Sequence, residues 1–150
     1  MNRHRARKLT IASWVAMGTT VFLLGLLMYW SILPFKPILE IPNNKMFVIN
    51  KGNTVNAGEN LLLHYKYCKR GDGLGLITRY LQDNQVITLP DVNSKQPGGC
   101  GEATIPVMIP SNTPTDTYTF HATVTYKVSP IKTVSYDLWT DEFTIKGKIL

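Results

Sequence analysis

From Leu9 to Phe35 the chain carries no charged residue, and Leu9 to Trp30 reads LTIASWVAMGTTVFLLGLLMYW, interrupted only by small or hydroxyl side chains. At about 1.5 Å per residue a helix of that length reaches roughly 33 Å, enough to cross a hydrocarbon layer of roughly 30 Å. The sequence therefore predicts a transmembrane helix over residues 9–30, with the lipid bilayer as its first partner. Arg3, Arg5, Arg7 and Lys8 stand ahead of this span, and Tyr29 and Trp30 close it. Basic residues hold the cytoplasmic side and aromatic rings favour the interface, so residues 1–8 are expected to be a basic cytoplasmic tail. A cleaved signal peptide also starts basic and continues apolar, but its apolar region is shorter and its cleavage site needs small residues. Here YWSILPFKP follows, which is bulky, and an uncleaved signal-anchor is the expectation.

Ala12 and Ala16 form a small-xxx-small pair, and Gly18 and Gly25 lie seven apart. Such residues let two helix backbones approach, which leaves a homodimer open, although small residues are common in membrane helices generally. The whole-chain values average two unlike parts: a formal net charge of +6, 44% hydrophobic residues and a mean hydropathy of −0.04. Without the four N-terminal basic residues, 12 Lys and Arg face 10 Asp and Glu, a net of +2. With no basic run longer than Lys69-Arg70 beyond the span, no nucleic-acid partner is expected.

Pro34 and Pro37 deny the helix its amide donors, and residues 31–42 are expected to form an extended stalk. The remainder, 43–150, shows short β-rich runs separated by Gly, Pro, Asn and Asp, with no sustained helical period. Strands are expected at Lys45 to Asn50, Leu61 to Cys68, Leu76 to Gln82, Val86 to Leu89, Ala103 to Ile109, Thr117 to Val128, and Thr133 to Lys146 with a break. In the sixth, Tyr118, Phe120, Ala122, Val124, Tyr126 and Val128 alternate with polar residues, giving one core face and one wet face. The expected fold class is all-β, an antiparallel sandwich after one N-terminal helix.

The turn-rich IPSNTPTDTY before that strand resembles the tyrosine corner of immunoglobulin-like sandwiches, with Tyr118 as the structural tyrosine whose phenol bonds back to nearby backbone. Cys68 and Cys100 are the two cysteines of the chain, and outside the cytoplasm they imply one structural disulfide. The pattern departs from antibody domains: Cys100 falls in the loop QPGGCGE before the fifth strand, and no tryptophan follows on the third.

No nucleophile elbow, zinc-protease, phosphate-loop or dinucleotide motif occurs. His64 and His121 belong to strands expected in different sheets, so neither a metal site nor a cofactor is expected. Asp137, Asp141 and Glu142 gather around Trp139, and an aromatic among acids has the look of a carbohydrate- or peptide-binding surface. An acidic edge strand that discourages pairing is the plainer explanation. Arg70-Gly71-Asp72 spells an integrin tripeptide in a loop after Cys68, a weak signal that keeps Arg70 as a further surface candidate.

Phe35-Lys36-Pro37, Val55-x-Ala57-Gly58-Glu59, Tyr65-Lys66-Tyr67-Cys68-Lys69, the Gly-Cys loop and Ile109-Pro110 to Tyr118 together resemble small N-terminally membrane-anchored immunoglobulin-like proteins of tailed phages and bacteria. That resemblance implies an anchored sandwich facing the periplasm and carries no activity. The expectation is a non-enzymatic interaction module: single-pass in the inner (cell) membrane, its C-terminal domain periplasmic or extracellular, meeting a protein partner there. A phage-encoded envelope effector, acting in superinfection exclusion or lysis, is the alternative.

Overall fold

The structure, a computed structural model, describes residues 3–32, 38–71, 73–129 and 132–147, with side chains for 13–31, 38–71, 73–128 and 132–147. The side chains of Arg3, Arg5, Arg7 and Lys8, and all of Asp72, lie outside the described residues. Two compact units divide the chain, residues 1–36 and 37–150.

In the first unit, helix α1 spans Arg3–Ile32. It is longer than the expected 9–30 because the basic residues ahead of the apolar run, and Ser31 and Ile32 after it, are also helical. Ser13–Ser31 has a mean hydropathy of 1.4 and none of its side chains is buried, so this helix is long and apolar enough to cross a bilayer. Three of its hydroxyls are satisfied within the helix. Thr19 donates to the carbonyls of Val15 and Ala16, Thr20 to that of Ala16 and Ser31 to that of Leu27, so these donors need no partner from hydrocarbon.

The second unit is all-β: β1 (Leu39–Glu40), β2 (Lys45–Val48), β3 (Thr54–Asn56), β4 (Asn60–Lys69), β5 (Leu76–Gln82), β6 (Val86–Asn93), β7 (Gly99–Met108), β8 (Asp116–Ser129), β9 (Lys132–Thr140) and β10 (Phe143–Lys146). On one side β7, β1 and β2 pair antiparallel with β4. On the other, β6 pairs with β5, β5 with β8, and β8 with β9 and β10, all antiparallel. Two parallel contacts complete the ladder, β2 with β9 and β10 with β3. β2 thus belongs to both groups: Lys45 and Met46 lie beside β9, while Phe47 and Val48 lie beside β4.

Alternation builds the core. Leu61, Leu63, Tyr65 and Tyr67 of β4 are buried, as are Tyr118, Phe120, Ala122, Val124 and Tyr126 of β8. The two sets belong to one cluster with Leu81, Val107, Leu138, Phe143 and Ile145. A residual void of about 30 Å³ is lined by Tyr65 and Ile105 from one group and by Ile77, Val124 and Leu138 from the other, so the apolar faces of the two groups meet. Each fully buried side chain of this size contributes roughly 1.5–3 kcal/mol.

Several expectations need correction. Of the stalk expected at residues 31–42, Ser31 and Ile32 are helical, 33–37 lie outside the described residues, and the β unit starts earlier than residue 43. Leu39 and Glu40 pair with Lys69 and Cys68, and Leu39 and Ile41 are core residues. The strand expected to end at Asn50 ends at Val48, because Asn50 takes over the ladder with its side chain. Its carboxamide accepts the Leu62 N–H at 2.7 Å and donates to the Asn60 carbonyl at 3.1 Å. β6 continues past Leu89 to Asn93, since among the described residues its pairing partner is β5 alone and Pro90 needs no ladder donor on the other side. Cys100 is not in a loop but on β7, opposite Cys68, because the ladder with β4 runs on to Lys69 and Gly99. The break expected within the last strand falls at Asp141 and Glu142, between β9 and β10.

Candidate functional site

Cys68 and Cys100 are joined, with an S–S distance of 2.10 Å, across directly opposed positions of β4 and β7. The bond staples two neighbours in one layer rather than spanning the core. Beside it lies an open groove of about 780 Å³, lined mainly by apolar groups of Leu39, Ile41, Tyr67 and Tyr136. Arg70, at the end of β4, pairs with Glu40 at 3.8 Å and has its backbone N–H on the Ile38 carbonyl. It is therefore held beside β1, apart from the other surface candidates.

Trp139 is different. It lies on β9, whose register sets it opposite His121 of β8 on one side and Lys45 of β2 on the other. His121 is in turn opposite Tyr80 of β5, and Tyr80 opposite Thr88 of β6. One row of side chains, Thr88, Tyr80, His121, Trp139 and Lys45, therefore crosses five strands on the outward face. Along it the Tyr80 and His121 rings stack at 5.0 Å with an interplanar angle of 5°. Trp139 stays 41% exposed. The Lys45 ammonium lies 5.4 Å from the Trp139 ring centroid, 5.7 Å from that of Phe47 and 2.7 Å from Asp141 Oδ2.

Asp137 shares the Trp139 face two residues earlier, where it accepts the Thr123 hydroxyl at 2.7 Å. Asp137 and, through Lys45, Asp141 thus lie about Trp139, and Arg70 is left out. β9 is paired along its length with β8 and, on its other side, with β2 at Trp139 and Thr140; Asp137 lies on the stretch before that second contact, and Asp141 and Glu142 follow the strand.

Two adjoining open grooves of about 460 and 480 Å³ share Thr119, His121 and Glu142. The first extends to Asp83 and Asp116, the second to Trp139 and Asp141. Asp83 accepts the Gln85 N–H and Asp116 the Thr117 N–H, so these two carboxylates are oriented by their own turns. Burial holds the His121 imidazole below its ordinary pKa, against the opposing pull of Asp137. Burial likewise raises the Tyr118 phenol, helped by Asp83 and Asp116. Tyr118 itself donates its hydroxyl to the Pro114 carbonyl at 3.2 Å, the bond back to upstream backbone expected of it.

His64 sits in other company, 3.1 Å from Thr104 Oγ1 and 3.7 Å from Glu102, which also takes Lys66 at 2.9 Å. Among the described residues no three His, Cys, Asp or Glu side chains converge as a metal site. Sequence reasoning missed Lys45, Tyr80 and Phe47 at the Trp139 face; only the register between strands distant in sequence reveals them. It also missed Lys69, buried with its ammonium on the Gln96 carbonyl at 2.7 Å and 5.9 Å from the Tyr126 ring.

No protein-family model matches the chain, and no curated protein does either. Among solved structures, a β-glucosidase from Listeria innocua in complex with glucose matches at a TM-score of 0.33 and 14% identity, over 75% of this chain and 16% of that one. So distant a likeness carries nothing about activity.

Proposed function

We propose that this protein is a single-pass, membrane-anchored interaction module without catalytic activity, whose immunoglobulin-like sandwich stands outside the cytoplasm and binds another protein. The observation that carries this reading is the outward row through Trp139. An indole 41% exposed, in line with a stacked Tyr80–His121 pair, is costly to leave in water and is the kind of group that anchors interfaces. The immunoglobulin-like assignment is supported by strand pairing. β4 pairs with β7, β5 and β9 flank β8, the first strands exchange between layers, and Tyr118 on β8 bonds to Pro114. The Cys68–Cys100 bond suits an oxidising compartment, and the apolar span of α1 with basic residues ahead of it suits an N-terminus in the cytoplasm.

The test is cross-linking of the full-length chain in its native envelope, alongside Trp139→Ala. One stoichiometric partner that disappears with the indole is the expected result. Recovery of the chain cross-linked to itself alone would refute the reading.

A further inference from the structure

The Trp139 face carries a charge pattern opposite to that of the chain. Beyond the four N-terminal basic residues the chain carries a net +2, yet five of its ten acidic residues, Asp83, Asp116, Asp137, Asp141 and Glu142, lie on this face or the rim of its grooves. Asp141 is neutralised by Lys45. Asp83, Asp116 and Glu142 have no cation within ion-pair distance among the described residues. The same surface already holds one cation of the chain itself. The Lys45 ammonium is seated between the Asp141 carboxylate and the rings of Trp139 and Phe47, a cradle of one acid and two aromatic faces. An internal cation thus already occupies one end of the row, and the adjoining groove offers a carboxylate, Glu142, beside the His121 ring with no cation of its own.

We propose that the partner presents a basic, extended segment, its arginine or lysine side chains placed in the grooves against Glu142, Asp116 and Asp83 while its backbone or an apolar residue covers Trp139. The dimensions suit such a segment: the row from β9 to β5 crosses two strand spacings, about 10 Å, or three residues of extended chain. Arginine fits both features, because its planar guanidinium pairs with carboxylates and stacks on aromatic rings. The proposal rests on the interaction-module reading and assigns the chemistry of its partner.

The experiment uses the full-length chain in phosphatidylcholine nanodiscs, which offer a basic peptide no net anionic surface. The Trp139 indole NMR signal, identified by its loss in Trp139→Phe, is followed while three probes are added. They are a blocked hexapeptide alternating glycine and arginine, a glycine–serine hexapeptide, and the tetrasaccharide of N-acetylglucosamine. The expected result is a saturable shift with the arginine peptide alone. Its affinity should fall on the order of tenfold in Glu142→Gln combined with Asp116→Asn, and fall again between about 50 and about 300 mM salt. The Asn side chain keeps an oxygen for the Thr117 N–H, and an unchanged melting temperature verifies the fold. Equal response to the neutral peptide, response to the saccharide instead, or unchanged affinity in the double variant overturns the proposal. Cross-linking in the native envelope separates the two levels. A partner lost in Trp139→Ala but kept by the double variant removes the basic-segment assignment and leaves the module reading standing; no partner at all removes both.

Discussion

Tyr118 is 1% exposed, and its hydroxyl bonds to the Pro114 carbonyl while its ring packs in the core. Tyr118→Phe keeps the ring and removes the donor, and a loss of about 0.5–1.5 kcal/mol is expected in urea denaturation. This contact was legible in sequence because it is local: the bonded groups are four residues apart, inside one turn-rich segment. The stacking of His121 on Tyr80 was not, because the two are brought together by the β5–β8 register. His121 yields a pH prediction. Its folded pKa is lowered by burial from the ordinary 6.5, so protonation favours the unfolded chain. Stability should hold above pH 6.5 and decline as pH falls through that value, the decline ending below the folded midpoint. An NMR titration of the His121 ring should give a midpoint under 6.5; a midpoint above it would mean that the Asp137 carboxylate outweighs burial.

At the scale of elements, the strands that alternate over six or more residues, β4, β5 and β8, were visible from pattern alone, while β1 and β3, two and three residues long, were not. So short a run has no period to read, and its pairing comes from the strand it meets. β1 nonetheless matters to stability. A chain that begins at Asn43 lacks Leu39 and Ile41, each worth roughly 1.5–3 kcal/mol when buried, and should melt well below one that begins at Ile38. Equal melting temperatures would return residues 38–42 to the role of a linker. The disulfide acts on the next pair of elements. It closes a separation of 32 residues between β4 and β7, and Cys68→Ala with Cys100→Ala should cost roughly 3–4 kcal/mol on the chain-entropy model. Because the bond lies within one layer, the variant should keep its strand signature in circular dichroism while its denaturation midpoint falls.

For the molecule as a whole, the division into an apolar helix and a β unit follows from composition. An uncharged span that hydrocarbon tolerates cannot also supply the alternating faces a half-wet sheet requires. Exchanging Arg3, Arg5, Arg7 and Lys8 for glutamine should leave insertion intact and mix the orientation, read as partial accessibility of the C-terminal domain to protease in inverted vesicles. Full protection in every variant would show that orientation is set elsewhere. The acidic residues near Trp139 were also visible as a sequence cluster, yet their setting was not. On the sequence they resembled the guard of an open edge; in the structure β2 joins β9 at Trp139 and Thr140, Asp137 accepts the Thr123 hydroxyl, and Asp141 and Glu142 line a groove beside an aromatic row. What the sequence determined by itself was everything carried by local period and composition: the helix, the longer strands, the buried faces of β4 and β8, and the cysteine pair. Tertiary structure alone decided which strands lie side by side. Register between residues such as Lys45 and Trp139, 94 positions apart, is set by the packing of the whole core, and no local pattern encodes it.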